Sequence, residues 1–158
     1  MTLAEAFKPA DRLVSARLSD AYHAWNRARG DRFAPRREEM TPALLRSSLP
    51  WTWFVDVIEG GADFRFRVAG DRVVQFMGRR FAGELMSAHL EEPFFARMQA
   101  FLHECLRRRG PVALGPMRSL RQGKEHLGIE VIGMPLSDDG AAVTTIFGGL
   151  DASALGAG

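Results

Sequence analysis

The chain contains four histidines and one cysteine, the side chains best suited to binding a metal ion or a haem iron. A haem iron needs an axial ligand that faces an apolar pocket. His103 falls on the polar side of a predicted long helix, and His89 precedes that helix. His23 and His126 have no second ligand nearby in the sequence, and no spacing matches a zinc site. We therefore expect neither haem nor a bound metal.

Cys105 lies on the apolar stripe of the same predicted helix. A free cysteine in such a position is usually a small buried hydrophobe and not a reactive thiol. A single cysteine cannot form a disulfide within the chain, so nothing here points to secretion. The first residues lack the pattern of a signal peptide, and no uncharged apolar stretch approaches the about 20 residues that span a bilayer. We expect a cytoplasmic protein with no membrane partner.

Paired carboxylates and glycines are the next candidates, for acid–base and phosphate chemistry. Glu91–Glu92 stands where carboxylates stabilise a helix N-terminus, and Asp138–Asp139 lies in a turn. There is no nucleophile elbow or dinucleotide fingerprint, and Gly148–Gly149 is interpreted as a strand-end pair. These observations favour a protein that is not an enzyme. The alternative is a small α+β ligand carrier or isomerase-like enzyme with an apolar cavity, in which Asp56 is the acid–base group to test.

Arginines occur in two runs that could contact phosphates or acidic partners. One run spans residues 27–37 and the other is Arg107–Arg109. The formal net charge is only +2, however, and the sequence pI of about 9.2 follows from that small excess. Such runs are usually solvated faces or helix ends. We expect no nucleic-acid partner, and strong salt-dependent binding to DNA or RNA would indicate the alternative.

The elements that position these residues follow from the hydrophobic periodicity of a chain whose length, 158 residues, suits one domain. Helical spacing predicts four helices, with Leu18, Tyr22 and Trp25 on one face of the first. A further helical turn is expected near Leu85–Leu90. The expected positions of the four helices are Asp11–Arg29, a short helix that begins at Thr41-Pro42, Asp71–Phe76, and Glu91–Arg109.

Alternation with a period of two predicts five strands, joined by turns that favour antiparallel pairing. Their expected positions are Trp51–Ile58, Phe64–Ala69, Pro111–Arg121, His126–Leu136 and Val143–Phe147. In the fourth strand the apolar face changes side, which a bulge near Gly133 would explain. The helical middle of the chain must cover one face of the sheet, because both carry apolar stripes.

Short motifs in this arrangement resemble those of a bacterial family of mostly stand-alone PAS domains, the fifth of the PAS families. The two most specific segments are Arg67–Gly70, at the end of the second strand, and Pro135–Ser137, before the last turn. The resemblance covers roughly residues 21–150. It implies an α+β fold with a five-stranded antiparallel sheet, helices packed on one face, and an N-terminal helical extension. Further matching residues are Trp25, Pro35-Arg36, Phe64, Gly78, Gly83 and Gly140.

The motif residues also have physical roles that do not depend on the resemblance. Gly70 allows a sharp turn from a strand into a helix at low cost. Pro135 suits a strand edge or a bulge. Arg67 lies on the polar face of its strand, where we expect it to pair with Asp56 or Glu130 or to face solvent.

The resemblance implies that the domain carries haem, flavin, a small organic ligand or nothing. A photoactive flavin domain of the LOV kind would show an Asn-Cys-Arg-Phe motif ahead of the long helix, and this chain does not. We therefore predict no cofactor. A small ligand would lie between the sheet and the helices, and the alternative is a fully packed core. The residues predicted to line such a pocket are Trp53, Phe76, Met98, Phe101 and Phe147.

The resemblance also implies a role in signal transduction, as a stand-alone sensory or regulatory module that acts through protein–protein contacts and is gated by a small ligand. Helices that flank PAS domains often form dimer contacts. Leu18, Tyr22 and Trp25 are therefore predicted to form a surface for a protein partner or a second copy, with packing on the outer sheet face as the alternative. We expect a helical extension over residues 1–50, a PAS-like core over 51–151 and a flexible tail over 152–158.

Overall fold

A computed structural model describes residues 3–154, which form one antiparallel sheet of six strands between two layers of helices. The strands lie side by side in the order β1-β4-β5-β6-β2-β3. Their bounds are β1 Phe7–Lys8, β2 Thr52–Ile58, β3 Asp63–Ala69, β4 Val112–Arg118, β5 Leu127–Leu136 and β6 Thr145–Ala154. The α+β fold is confirmed, but the sheet has six strands and not five. The additional strand, β1, is two residues long and too short to show any alternation.

Five α-helices occur in residues 3–154, and a side chain caps the start of two of them, α2 and α3. Their bounds are α1 Leu3–Ala6, α2 Ala16–Arg29, α3 Pro42–Leu45, α4 Asp71–Met77 and α5 Pro93–Arg108. Helix α2 begins at Ala16, later than the sequence predicts, because the hydroxyl of Ser15 caps it by accepting from the Leu18 amide at 3.2 Å. Thr41 caps α3 in the same way, as its sequence predicts.

Helices cover both faces of the sheet, because the N-terminal helix packs on the outer face, which is one of the two alternatives that the sequence left open. We call the face under α4 and α5 the inner face, and the face under α2 the outer face. On β5, Ile129 and Val131 pack on the inner face, whereas Ile132 and Met134 pack on the outer face. A strand that is buried on both sides has apolar residues on both faces. The apolar residues of β5 therefore give, in the sequence alone, the pattern of a switch from one face to the other.

The bulge predicted near Gly133 is absent from the pairing of β5 with β6, which runs without a register shift from Leu127 to Leu136. Strand β6 continues to Ala154, so residues 152–154 are strand and not tail. The rest of the predicted tail, residues 155–158, lies outside the described part of the chain.

Gly148–Gly149 lies in the middle of β6 and not at a strand end, which corrects the sequence interpretation. A Cβ atom at Gly148 would collide with the Ile132 carbonyl and the ring of Trp53 on the inner face. A Cβ atom at Gly149 would lie 2.5 Å from a methyl group of Leu18 on the outer face. The two glycines therefore let a large side chain approach the sheet from each side.

Candidate ligand cavity

A small apolar cavity lies between the inner face of the sheet and the helices α4 and α5. Its volume is about 110 Å³. For scale, an engineered apolar cavity of about 150 Å³ binds benzene. The cavity therefore suits a ligand no larger than a small ring, unless its walls move. Its principal wall residues are Trp53, Val55, Phe66, Val74, Phe81 and Met98.

Two of the five predicted pocket residues, Trp53 and Met98, line this cavity. Phe76 and Phe101 are buried in the inner core but do not line it. Phe147 lies in the outer core, where its ring centroid is 5.0 Å from that of Phe54. Since neighbouring residues of a strand point to opposite faces, Phe147 is on the wrong side of the sheet to reach the cavity.

Residues 78–84 form a loop that closes one side of the cavity, and we call it the wall loop. The sequence does not predict this loop as part of the site. Gly78 and Gly83 have positive φ angles of 84° and 88°, which glycine adopts without steric cost. The Gly83 amide donates to the Phe66 carbonyl at 2.7 Å, and the Phe66 amide donates to the Glu84 carbonyl at 3.0 Å. The loop is thereby hydrogen-bonded to strand β3.

Phe81 anchors the wall loop in an aromatic cluster. Its ring lies 5.2 Å from that of His89 and 5.4 Å from that of Phe95, measured between centroids. The Arg79 guanidinium lies 3.7 Å from the centre of the Phe81 ring and also donates to Glu84 at 2.6 Å. This hydrogen bond from Arg79 holds the pKa of Glu84 below its ordinary value. His89 contacts the same carboxylate, which gives this histidine a structural role.

Trp53, one of the residues that line the cavity, carries an unpaired polar group. The residue is 6% exposed, and within residues 3–154 its indole nitrogen has no hydrogen-bond partner. A buried donor without an acceptor costs about 1–3 kcal/mol, so such groups are uncommon in folded proteins. A ligand that brought an acceptor to this ring would remove that cost.

Asp56, the acid–base candidate, does not line the cavity. Its carboxylate lies 3.0 Å from the Arg67 guanidinium and accepts from the Thr145 hydroxyl at 3.3 Å. Arg67 thus has Asp56 as a partner, one of the two carboxylates that the sequence suggested. Among the described residues that line the cavity, none is an aspartate, glutamate, histidine or cysteine. The arrangement offers a binding space and no acid–base group.

Cys105 and His103 do not reach the cavity either. Cys105 is fully buried in the inner core, and burial raises the pKa of its thiol to about 12. His103 lies on the exposed side of α5, where its Nε2 is 2.8 Å from the Gly61 carbonyl oxygen. Within residues 3–154, no group of three or more histidine, cysteine or acidic side chains is placed to hold a metal ion.

Three motif residues have clear structural roles. At Gly70 a Cβ atom would collide with the backbone carbonyls of Leu49 and Pro50, so only glycine allows this close approach. Gly83 supplies the positive φ angle at the end of the wall loop. The carbonyl of Pro135 accepts a hydrogen bond of 2.9 Å from the indole nitrogen of Trp25.

The predicted partner surface is instead part of the outer core. Leu18 is fully buried and Trp25 is 2% exposed, whereas Tyr22 is half-buried beside them. The alternative interpretation, in which this helix packs on the outer face of its own sheet, is the one that the structure shows. Leu18 and Trp25 are not available to a partner while α2 stays in place.

The arginine runs are partly neutralised by nearby carboxylates. Arg32 lies 2.7 Å from Glu39, and Arg108 lies 2.7 Å from Glu104. Arg107 also pairs with Glu104. These contacts hold the pKa values of Glu39 and Glu104 at about 2, well below their ordinary value. Exposed ion pairs of this kind contribute little to stability.

An antiparallel sheet with short helices, one long helix and a small cavity on its inner face defines the class of protein as a small α+β domain. The family model described as a PAS domain matches residues 14–151, and the chain belongs to this family. The match includes α2, so the helix expected to be an extension lies within the family's span. Family membership indicates a sensory or regulatory module. No curated protein and no solved structure matches the chain.

Within residues 3–154, none of the helices combines the length and the apolar character required to cross a membrane. Helix α5, for example, has 16 residues and carries arginines in its last turn.

Proposed function

We propose that the protein is a signal-transduction module that binds a small, mainly apolar ligand in its inner cavity and reports occupancy to a protein partner. The observation that carries the proposal is an apolar cavity of about 110 Å³ whose wall includes Trp53, a buried residue with an unpaired indole nitrogen. Close packing of a core ordinarily leaves neither feature. The proposed place of action is the cytoplasm, in keeping with a single cysteine.

The chemistry of the wall defines the ligand class. Most of the lining is aliphatic or aromatic, and Arg79 and Arg80 stand on the wall loop beside it. A ligand of a few carbon atoms with one hydrogen-bond acceptor would match the apolar wall and the Trp53 donor. The proposal involves no metal and no coloured cofactor.

The wall loop provides a route from the cavity to the surface. It is hydrogen-bonded to β3, which is the last strand of the sheet on that side. Val68 on β3 lines the cavity and is 52% exposed, so this side of the cavity wall borders solvent. A ligand that displaced the loop would alter this strand edge, and a second copy of the chain is the first partner to test.

The first test is native mass spectrometry of the freshly purified protein, together with its ultraviolet–visible spectrum. A mass excess of a small organic molecule without visible absorbance would support the proposal. The second test is titration with benzene, followed by ¹H–¹⁵N chemical shifts. We expect saturable shifts that are confined to the wall loop, β2, β3 and α4.

Ala69→Leu fills the cavity, since Ala69 is one of its wall residues. The matched control is Ala88→Leu, which makes the same change at an exposed position outside the cavity. We expect Ala69→Leu to lower benzene affinity at least tenfold and Ala88→Leu to leave it unchanged. Equal binding by both variants, or no saturable binding by the original chain together with an unchanged native mass, would overturn the proposal.

A further inference from the structure

A second, larger hollow lies on the other side of α4 and plays no part in the proposed function. This open cleft has a volume of about 390 Å³, within the usual range of small-molecule sites. It is bounded by α4, the turn between β4 and β5, and the second half of β6. Its side walls are formed by Trp51, Arg72, Gln75, Phe76, Lys124 and Leu127.

Two cationic side chains converge on this cleft. Arg72 comes from α4 and Lys124 from the turn between β4 and β5, so the tertiary fold brings them together across about 50 positions of sequence. Within residues 3–154, neither side chain lies within 4.0 Å of a carboxylate oxygen in an ion pair, in contrast to Arg67 and Arg79. Among the described residues, neither charge is therefore held in a direct ion pair.

Trp51 holds the guanidinium of Arg72 in position. The Arg72 guanidinium carbon lies 5.4 Å from the centre of the Trp51 ring, and that of Arg17 lies 5.1 Å from it. A guanidinium that rests on an aromatic face keeps the edge of its planar group available for hydrogen bonds. Arg72 is thus oriented before any ligand arrives, which lowers the entropic cost of binding.

One carboxylate, that of Asp151, also lines the cleft. It accepts a hydrogen bond of 2.6 Å from the Ser15 hydroxyl, which lies at the start of α2. The balance of charge in the cleft is therefore positive, with two cations against one carboxylate.

We propose that this cleft binds a small molecule that carries a phosphate group. The phosphate oxygens would accept from Arg72 and Lys124, which match this group in charge and in number of donors. The Gln75 amide would donate to a polar part of the same molecule. The remainder would rest on Phe76 and Leu127, two of the apolar residues that line the cleft.

The site is tested with inorganic pyrophosphate as the probe, at low and at physiological ionic strength. The chain has three tryptophans, and Trp51→Phe assigns the indole N–H signal of Trp51 in ¹H–¹⁵N spectra. We expect pyrophosphate to shift the Trp51 signal saturably and to leave the signals of Trp25 and Trp53 in place. Citrate, a multiply charged carboxylate, is expected to bind at least tenfold more weakly.

Arg72→Gln and Lys124→Gln remove one charge each, and Arg27→Gln removes an exposed arginine of α2 as the matched control. Far-ultraviolet circular dichroism establishes that each variant is folded. We expect each cleft variant to lose about tenfold in pyrophosphate affinity or more, and the control to lose less than twofold. Equal losses in all three variants, citrate binding as tight as pyrophosphate binding, or no saturable shift of the Trp51 signal would each overturn the proposal.

Discussion

The two faces of the sheet differ in how completely they are closed. On the outer face, Trp25 is buried and donates its indole hydrogen bond to the Pro135 carbonyl. On the inner face, Trp53 is also buried, but its indole nitrogen has no partner within residues 3–154, and a cavity lies beside it. The same residue type is thus fully satisfied on one face and unsatisfied on the other.

Under the proposed function, the outer face would stay fixed and the inner face would change on ligand binding. A continuous helix, α2, covers the outer face, whereas the inner face is closed partly by the wall loop, which has glycines with positive φ near both ends. Loops attached through such residues can move at lower cost than packed helices. We therefore place the proposed ligand response on the inner face, where the wall loop is the part that we expect to move.

The largest expected effect is on the free energy of unfolding, and it comes from Gly148 on β6, where the backbone of β5 and the ring of Trp53 approach closely. Gly148→Ala should destabilise the protein by about 3 kcal/mol, because the new methyl group collides with the Ile132 carbonyl and the Trp53 ring. Urea unfolding measures the change. The matched control is Gly110→Ala, where the nearest atom to the added Cβ would be 3.7 Å away. A loss below about 1 kcal/mol for Gly148→Ala would show that the sheet can yield there.

The next largest effect on the free energy of unfolding comes from replacing Trp25 or Trp53, and it compares the outer and inner faces directly. Trp25→Phe should cost about 1–3 kcal/mol, because it leaves the buried Pro135 carbonyl without this donor. Trp53→Phe should change the free energy of unfolding by less than about 1 kcal/mol, because it removes a donor that has no partner. Both are measured by urea unfolding of the ligand-free protein. Equal costs would contradict the distinction between the faces.

The smallest effect concerns Cys105, which reports whether the inner core beneath α5 is closed despite the neighbouring cavity. Burial raises the pKa of this thiol to about 12, so the folded state keeps its proton at a pH where the unfolded chain loses it. Stability from this source is complete below the ordinary thiol pKa and falls as the pH rises toward 12. At pH 10 we expect a loss of about 1–2 kcal/mol.

Unfolding of the original chain and of Cys105→Ala at pH 8 and pH 10 isolates this contribution. The pH-dependent loss should be smaller in Cys105→Ala by about 1–2 kcal/mol. A thiol reagent should react with Cys105 only as fast as the protein opens. Rapid labelling at pH 8 would show that the inner core admits solvent.

The sequence predicts well those elements whose signals are local. The bounds of β2 and α5 agree within two residues, since both have regular periods and clear end signals. The prediction fails for β1, which is too short for a period, and for the supposed bulge at Gly133. That second error arose because helix α2 buries the outer side of β5, which a local pattern does not reveal.

For the candidate site, the sequence points to Trp53 and Met98 but places Phe147 on the wrong face. It does not identify the wall loop, although Gly78 and Gly83 mark its ends. Glycines indicate that the chain can turn, but not what the turn will cover. The cleft of Arg72 and Lys124 has no local sequence signal, because its residues come from separate elements.

The sequence by itself determined the α+β class, the order of the main elements, the resemblance to PAS domains and the burial of Cys105, because periodicity, turn residues and short motifs act locally. The tertiary structure alone decided that helices cover both faces, that Leu18 and Trp25 are core, and where the cavity and the cleft lie. These features depend on contacts between residues far apart in the chain, and the remaining space between packed elements is a property of the assembled fold.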